Sequence, residues 1–452
     1  MEYLIRFSQS HETFRVAEIQ ALAIVAGFNM EIIHYDAESP FCVVRLPSEE
    51  AARTLIKRSI IAQSIHEHWG TGGTFDELHA EVKKKTSELW PKYKTASFKI
   101  SLDNYQGTRP NKQRVALFNS FSYLPFSGEI KMKDPDEEFT IFEQWDFKAV
   151  ERNLPAPLKV HFGRYIAPSG RDLCLKFDLK KRGYISTTSM DSELALITAN
   201  IALAAPGKLF YDPFVGTGSF PIACAQWGAL AFGSDIDGRS IRGEGKKKSL
   251  KGNFEQYGLQ QMLGDMFVCD LTNSPVRRRR ILDGILCDPP YGVREGLKVL
   301  GCRDPEKEPW VVEKGKLIYK EPDFIPPKKP YSFLAMLDDI LQFATDTLVD
   351  NGRLSFWMPT ANDEQQEMGV PTHPCMENVV VCTQVFNKWT RRLITYRRLP
   401  DSEVDSEALA QKRSHVPTNG VTADELNPFR RHYFNGFRAQ AAVDSAIEAA
   451  PK

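Results

Sequence analysis

The chain lacks the features of secreted, membrane-spanning and strongly charged proteins. None of its apolar runs approaches the roughly 18 to 20 residues that cross a bilayer, and residues 1–7 lack the basic-then-apolar layout of a signal peptide. Lys plus Arg and Asp plus Glu both number 58. Any nucleic-acid site must therefore be a local basic patch, since the net charge is zero. These absences predict a soluble, cytoplasmic protein that does not bind membranes.

Cysteine pairs of the kind that bind zinc are also missing. The eight cysteines include no C-x-x-C pair, so neither a zinc site nor a disulfide framework is predicted. Cys42, Cys287 and Cys382 lie in apolar runs, where a buried, reduced thiol is expected. We predict no metal site. The length of 452 residues predicts two or three domains, each with a core of its own.

The first part of the chain, up to about residue 180, has the pattern of an α+β region. A strand-helix-strand-strand-helix order over residues 3–61 predicts a small domain on an antiparallel sheet. Further strands are predicted, among others, at Phe118–Ser120 and Asp172–Phe177. The stretch Val160–Tyr165 alternates basic and aromatic residues, which can grip RNA by stacking. A half-buried strand with a solvated basic face explains the same pattern. The candidate substrate-binding residues are Arg164, Arg171, Lys180 and Arg182.

Two short loops organise the second half of the chain. Asp212–Gly218 reads DPFVGTG and Asp288–Tyr291 reads DPPY, and each follows a short apolar run. Such runs are typical of buried parallel strands, which deliver their loops to the carboxyl edge of a sheet. We therefore expect both loops to face one ligand-binding crevice.

The first loop has the chemistry of an S-adenosylmethionine site. It lacks the G-x-G-x-x-G spacing, and its opening acid, Asp212, would repel a pyrophosphate but can receive an α-ammonium group. Asp235 and Asp237 follow the second strand, near the offset at which an acid holds ribose hydroxyls. Asp270, rather than Asp265, ends the third strand and could accept from the adenine amino group. The candidate cofactor-binding residues are Asp212, Phe214, Gly216, Thr217, Gly218, Asp235, Ile236, Asp270, Leu271 and Thr188.

The second loop suits a planar amine as methyl acceptor. The Asp288 carboxylate and the Pro289 carbonyl can accept hydrogen bonds from both N–H groups and so localise the nitrogen lone pair. Pro289 and Pro290 hold the loop in one shape, and the Tyr291 ring can stack on a base. The candidate catalytic residues are Asp288, Pro289, Pro290 and Tyr291. A plain Pro-rich turn after a strand is the alternative.

The remainder predicts the rest of an α/β sheet and a polar tail. A helix at Tyr331–Val349, a strand at Arg353–Met358 and a closing antiparallel hairpin from Glu377 to Leu399 complete the sheet. Gly301–Pro330 is predicted to be a lid or substrate loop. Pro400–Leu426 has the composition of a disordered segment, and a short docked helix is predicted at Asn427–Gln440.

The two loops resemble those of class I amino-methyltransferases that act on exocyclic nitrogens. With Gly183–Asp191 (GYISTTSMD) and the DPPYGVRE stretch that begins at Asp288, the chain is similar to catalytic subunits of eukaryotic tRNA guanosine-10 N2-methyltransferases. The resemblance implies methyl transfer from S-adenosylmethionine to the exocyclic N2 of guanosine 10 of tRNA. It also implies an RNA-binding THUMP domain and a heterodimer with a small zinc-binding activator subunit.

The fold class expected is α/β, with a Rossmann-like class I methyltransferase domain after an α+β region that contains the THUMP domain. The seven-stranded sheet should end in an antiparallel hairpin. We predict a ferredoxin-like domain at 1–60, the THUMP domain at 61–182, the methyltransferase domain at 183–400 and the tail at 401–452. Two alternatives remain open: methylation of another planar amine or amide, on DNA adenine or protein glutamine, or a non-catalytic RNA-binding scaffold.

Overall fold

The computed structural model describes residues 1–245, 247–293, 296–301, 312–313, 316–317, 320, 324, 326–361, 368–386, 389–412, 422–423, 425–427, 429–431 and 433. The chain divides into two compact units, Met1–Leu175 and Lys176–Lys452. No helix within these described ranges is long and apolar enough to cross a membrane.

The first unit is built on one mixed sheet. Its strands are β1 (Glu2–Phe7), β2 (Glu31–Tyr35), β3 (Phe41–Arg45), β4 (Ala62–Gly72), β5 (Phe98–Tyr105), β6 (Glu137–Gln144) and β7 (Lys159–Pro168). They run in the order β2-β3-β1-β4-β7-β6-β5, with only the β5–β6 pair parallel. A single sheet therefore passes through both predicted N-terminal regions, 1–60 and 61–182.

Some of the helices of this unit have the side-chain caps and terminal charges that favour a helix. The helices are α1 (Arg15–Ala26), α2 (Glu49–Arg58), α3 (Phe75–Thr86), α4 (Trp90–Tyr93), α5 (Asn111–Asn119) and α6 (Asp172–Lys176). Those caps and charges occur in α2 and α3, and α2 is capped by Ser48, whose hydroxyl accepts from the Ala51 N–H. The strands predicted at Phe118–Ser120 and Asp172–Phe177 are wrong, since these residues lie largely in α5 and α6. Short apolar runs do not separate the two states by periodicity.

The second unit has the sheet order of a class I methyltransferase. The strands are β8 (Leu209–Asp212), β9 (Leu230–Asp235), β10 (Leu263–Val268), β11 (Leu282–Cys287), β12 (Lys298–Leu300), β13 (Val312–Glu313), β14 (Lys316–Leu317), β15 (Lys328–Pro330), β16 (Leu348–Ala361), β17 (Met376–Val385) and β18 (Trp389–Arg398). The main sheet runs β10-β9-β8-β11-β16-β18-β17, parallel except for antiparallel β18. The predicted fold class is confirmed, including the closing hairpin.

The strand order of this sheet fixes where a ligand can bind. Successive strands run outward from β8 to β10, and the chain then returns to the other side of β8 as β11. This reversal is a topological switch point, and it opens a crevice at the carboxyl ends of β8 and β11. Asp212 ends β8, and Asp288 directly follows β11. The two loops identified in the sequence therefore flank one crevice.

Helices cover the second sheet and build its core. They are α7 (Ser192–Ile201), α8 (Ser219–Gln226), α9 (Gly238–Arg242), α10 (Leu250–Tyr257), α11 (Phe333–Thr347) and α12 (Ser406–Gln411). The buried face of α11, including Phe333, Leu337 and Ile340, packs with β11 and β16 residues in one apolar cluster. Each side chain of this type removed from water contributes about 1.5–3 kcal/mol.

The segments outside the main sheet match the sequence predictions in part. Asp401–Gln411 is ordered, as a 3-10 turn followed by α12 with Asp405 as its cap, so the disorder predicted from Pro400 is wrong there. The docked helix predicted from Asn427 has helical residues at 429–431 and 433, and 434–440 lies outside the described residues. Most of the predicted lid also lies outside them, but its base is closed by β12 pairing with β15.

Candidate active site

The crevice of the second unit is a cavity of about 340 Å³. Of the candidate cofactor-binding and catalytic residues, all but Gly218 line it: Thr188, Asp212, Phe214, Gly216, Thr217, Asp235, Ile236, Asp270, Leu271, Asp288, Pro289, Pro290 and Tyr291. The loops after β8, β9, β10 and β11 thus converge on one space, as the order of acids at successive strand ends predicts.

The glycine loop takes its shape from positive backbone angles and two carboxylates. Gly216 and Gly218 have φ of +49° and +88°, which L side chains rarely adopt. The Asp212 Oδ1 accepts from the Phe214 N–H at 2.9 Å, and the Asp235 Oδ2 accepts from the Gly216 N–H at 3.0 Å. Gly218 is the N-cap residue directly before α8 and does not line the cavity, and an added Cβ there would lie 3.0 Å from Leu250 Cγ. Its role is therefore to shape the loop.

Burial raises the pKa of acids that line the cavity, and the pKa of Asp212 is raised further by its acidic neighbours. Burial raises the pKa of Asp212 well above its usual range, and the carboxylates of Asp235 and Asp288 add to this. Burial also raises the pKa of Asp235. A ligand with positive charge would relieve this repulsion. The sulfonium and ammonium of S-adenosylmethionine fit that requirement, and the residues present are therefore compatible with this cofactor.

Asp270 joins the cofactor edge to the base of the β12–β15 pair. Its Oδ1 accepts from the backbone N–H and the hydroxyl of Thr272, at 2.8 and 3.1 Å. Its Oδ2 accepts from the Leu300 N–H at 2.6 Å. A carboxylate oxygen has two lone pairs, so Oδ2 keeps one for a ligand donor. Asp237 and Asp265, the alternative acids, are not among the cavity-lining residues.

The entrance side of the glycine loop is formed by the residues before α7. Asp191 caps this helix by accepting from the Glu193 N–H. Ser189 is thereby left to contact the loop, with its Oγ 2.7 Å from the Thr217 Oγ1. The Thr188 Oγ1 lies 3.2 Å from the Ser186 Oγ and faces the cavity. Thr188 is therefore placed at the cavity. The Ser189 hydroxyl, in contrast, is engaged by the Ser186 N–H and the Thr217 hydroxyl.

In the DPPY loop, a hydrogen bond and burial have opposite effects on the pKa of the Asp288 carboxylate. The Tyr291 hydroxyl donates to Asp288 Oδ1 at 2.5 Å. Burial raises the pKa of Asp288 to about 6, while this hydrogen bond and the nearby Arg391 act in the opposite direction. Burial also raises the pKa of Tyr291, which stays a neutral donor. Its ring meets Trp389 edge to face, with centroids 6.1 Å apart.

Several cavity-lining residues were not identified from the sequence. They are Ser186, Met190, Pro213, Val215, Ser219, Phe220, Cys269, Leu297, Lys298, Tyr331 and Met336. Tyr331 and Lys298 lie at the ends of the lid segment, and no short motif marks them. Tyr331 donates to Asp339 on α11. The position of Tyr331 at the start of the predicted helix Tyr331–Val349 is the one signal that the sequence offers.

The candidate substrate-binding residues are not one exposed set. Arg164 is buried, and its guanidinium contacts Glu67 at 2.8 Å, Glu49 at 2.6 Å and Glu137 at 3.2 Å. Arg182 is buried too and donates to the Ser219 Oγ at 2.9 Å. Both guanidinium groups are therefore committed to internal partners and do not face solvent as a substrate contact would require.

Arg171 and Lys180 differ from these two in exposure. The Arg171 Nη1 donates to the Ile60 carbonyl at 2.9 Å from a half-buried position. Lys180 is exposed, and only its backbone N–H is held, by Asp178. Of the four candidates, Lys180 is the one whose side chain faces solvent.

Two family models match the chain, one for each unit. The Tmrp11 THUMP N-terminal domain matches residues 1–171, and the RMKL-like methyltransferase domain matches residues 180–299. The two matched ranges together include every strand of the first sheet and the first four strands, in chain order, of the second.

Whole-length relatives are similar along nearly the entire chain. The tRNA (guanine(10)-N(2))-methyltransferase of Saccharomyces cerevisiae is 42% identical over 443 residues, which covers 96% of this chain and 99% of that protein. The enzyme of the same name from Schizosaccharomyces pombe is 38% identical over 410 residues, covering 90% of this chain and 83% of that protein. TRMT11 of Homo sapiens, with the same activity in its name, is 34% identical over 462 residues, covering 98% and 97%.

Proposed function

The chain belongs to the tRNA (guanine(10)-N(2))-methyltransferase family, and from this premise we propose the reaction of its cavity. The reaction is methyl transfer from S-adenosylmethionine to the exocyclic N2 of guanosine 10 in tRNA. The observation that carries the proposal is that one cavity is lined by both the Asp212–Thr217 loop and Asp288–Tyr291. A cofactor and an amine can therefore meet there.

The cofactor is proposed to lie along the carboxyl ends of β8, β9 and β10. The Asp212 carboxylate accepts hydrogen bonds from the ammonium group of the cofactor. Asp235 accepts from its ribose hydroxyls, and Asp270 accepts from its adenine amino group. When bound, S-adenosylmethionine supplies a methyl group that its sulfonium already activates. The contribution of the protein is therefore orientation, since placing two reactants in line can supply about 7–11 kcal/mol of the barrier.

The acceptor amine is proposed to lie against Asp288. The guanine N2 is a poor nucleophile because its lone pair is delocalised into the ring. Hydrogen bonds from its two N–H groups to the Asp288 carboxylate and the Pro289 carbonyl localise that lone pair. As the N–C bond forms and the C–S bond breaks, N2 becomes positively charged and loses a proton. Ionised Asp288 is the base within reach of it.

Tyr291 is proposed to organise this arrangement in two ways. Its ring provides a face on which the base can stack, and its hydroxyl holds one oxygen of Asp288, leaving Oδ2 for the amine.

A guanosine inside a helix must leave its stack before it can enter the cavity, which costs a few kcal/mol. Contacts elsewhere on the tRNA must offset that cost, and we assign them to the first unit, whose residues match a THUMP family model. The division at residues 60, 182 and 400 is likewise a proposal.

A heterodimer with a small zinc-binding activator is the finer part of the proposal. It rests on the resemblance of the sequence motifs, and exposed apolar side chains of the second unit, such as Val268 and Val385, are consistent with a covering partner. Purified alone, the chain should aggregate or show little activity. Co-expression with the activator should restore a soluble, active enzyme. A stable, fully active monomer would contradict this. The cytoplasmic location stays a prediction.

The test of the function is transfer of labelled methyl groups to unmodified tRNA. We expect label in N2-methylguanosine at position 10 with the wild type, and its loss with Asp288→Ala while S-adenosylmethionine still binds. A tRNA with adenosine at position 10 is the control substrate. Label in DNA or in protein instead of tRNA would favour the alternative amine substrates. Cofactor binding without transfer to any of them would favour the non-catalytic scaffold.

A further inference from the structure

The DPPY loop and the two residues after it, residues 288–293, are held by a segment far along the chain. We call residues 288–293 the catalytic loop, after the proposed roles of Asp288 and Tyr291. We call the described residues of 422–433 the clamp segment. The Asn427 Nδ2 donates to the Tyr291 carbonyl at 2.8 Å. The Arg430 Nη1 donates to the Gly292 carbonyl at 2.9 Å, and to the Val293 carbonyl as well. Three consecutive carbonyls of the catalytic loop thus accept hydrogen bonds from two side chains of this segment.

The clamp segment has local structure that orients these two side chains. Thr422 and Glu425 form a capping box: the Glu425 N–H donates to the Thr422 Oγ1 at 3.3 Å, and the Thr422 N–H donates to the Glu425 Oε2 at 3.0 Å. The Asn427 Oδ1 accepts from the Arg430 N–H at 3.1 Å. Because this end of the amide is occupied, its NH2 group faces the Tyr291 carbonyl.

The segment is also packed into the unit by apolar contacts. Leu426 and Phe429 are buried, and Asn427 is only 3% exposed. The Phe429 ring lies 6.1 Å from that of Trp389, the ring that contacts Tyr291. The Leu426 carbonyl accepts from the Phe333 N–H at 2.9 Å and so satisfies a free donor at the start of α11. The contact therefore belongs to a packed structure with several supports.

The catalytic loop in turn has a shape that admits the clamp. Gly292 has φ of +68°, and an added Cβ would lie 2.7 Å from the Asn427 Nδ2. Pro289 and Pro290 restrict the loop before this point, but no proline follows Tyr291 in it. The position of the Tyr291 ring and hydroxyl therefore depends on what holds the backbone after it.

We propose that Asn427 and Arg430 are positioning residues for methyl transfer. They fix the backbone of Tyr291–Val293, and through it the Tyr291 hydroxyl that orients Asp288. This inference rests on the proposed roles of Asp288 and Tyr291. The clamp does not line the cofactor cavity, so its loss should slow transfer without weakening cofactor binding. A misplacement of about 1 Å at a reacting group can cost about a hundredfold in rate.

The test uses the full chain with three single variants. Asn427→Asp keeps the acceptor for the Arg430 N–H but loses the donor to Tyr291, and Arg430→Met keeps the aliphatic stem but loses both donors. Asp405→Ala is the control, because Asp405 caps α12 in the same tail and has no contact with the loop among the bonds described. We expect kcat on tRNA to fall about ten- to a hundredfold in the first two variants. The KM for tRNA and the Kd for S-adenosylmethionine should change little, and the control should match the wild type.

A second readout separates this inference from the proposed function. Hydrogen exchange of backbone amides should rise in 288–293 for Asn427→Asp and stay unchanged in 212–218. Unchanged kcat and exchange would refute the clamp while leaving the proposed function intact. Loss of cofactor binding together with kcat would also refute it, since the segment would then have a general structural role. A wild type inactive on tRNA would refute the proposed function, and the exchange measurement would still decide for or against the clamp.

Discussion

Asp288 is subject to two opposing requirements. Its burial raises its pKa to about 6, yet in the proposed reaction it must be ionised to accept a hydrogen bond from the amine. The Tyr291 hydroxyl and Arg391 lower its pKa and so keep the carboxylate available near neutral pH. The same raised pKa also determines how Asp288 makes the free energy of unfolding depend on pH. The folded state binds this proton more tightly than the unfolded state, so the stabilisation is complete below about pH 4 and is lost as the pH rises through about 6.

For single residues, the first prediction concerns the pH dependence of activity. The kcat/KM for tRNA should fall about tenfold per unit as the pH drops below about 6, because the protonated Asp288 of the free enzyme loses an acceptor. An Asp288→Asn variant should be slow at every pH and lack this limb. A limb of the same slope in Asp288→Asn would assign it to another acid, such as Asp212.

The second prediction concerns the hydroxyl of Tyr291. Tyr291→Phe keeps a ring for stacking but removes the hydrogen bond that lowers the pKa of Asp288. The acidic limb of kcat/KM should therefore move to higher pH, with activity partly retained at pH 8. A limb that stays in place or moves to lower pH would show that this hydroxyl does not control Asp288.

At the scale of elements, the third prediction concerns the turn into α8. Gly218→Ala introduces a side chain at φ +88° and against Leu250, at a cost of about 1–2 kcal/mol. Gly207→Ala is the matched control, since its φ is +79° but nothing lies within 4 Å of the added atom. Thermal unfolding should detect a loss in both, whereas calorimetry should find weaker S-adenosylmethionine binding only in Gly218→Ala. Equal affinities would contradict the role of Gly218 in shaping the loop.

The elements also show which features a single sequence can reveal. The glycine loop and DPPY were predictable because a parallel strand, its end and its loop are contiguous in the chain. Tyr331, Lys298 and Asn427 were not, since long-range packing brings them to the site without a local motif. Arg164 misled for a related reason. Alternation of basic and aromatic residues describes a strand face, but the three glutamates that surround Arg164 come from α2, β4 and β6.

At the scale of the whole molecule, the chain has two compact units, each with an apolar core. We therefore expect two thermal transitions. The fourth prediction is that Arg164→Met lowers the temperature of only one of them. The buried Glu67 keeps the Trp69 N–H as a donor but loses its charged partner, at a cost of about 3–5 kcal/mol. S-adenosylmethionine at 100 times its Kd should raise the temperature of only the other transition, because it adds about 2.7 kcal/mol to the free energy of unfolding of the unit that binds it.

Arg53→Met is the control for that prediction. Arg53 also pairs with Glu49, but it is half exposed, and such pairs contribute only about 0–1 kcal/mol. Differential scanning calorimetry of the full chain measures both variants. A single transition that shifts with both Arg164→Met and cofactor would show that the two units unfold together.

The clamp segment has a consequence for how the enzyme is made. Asn427 and the Tyr291 carbonyl that it holds are 136 residues apart. A growing polypeptide leaves the ribosome at about 5–20 residues per second, so the catalytic loop emerges many seconds before its support. The strands proposed to bind the cofactor can fold during that interval, but the acceptor side is completed only after Asn427 and Arg430 have emerged. An unfinished chain would therefore bind the methyl donor but transfer its methyl group slowly.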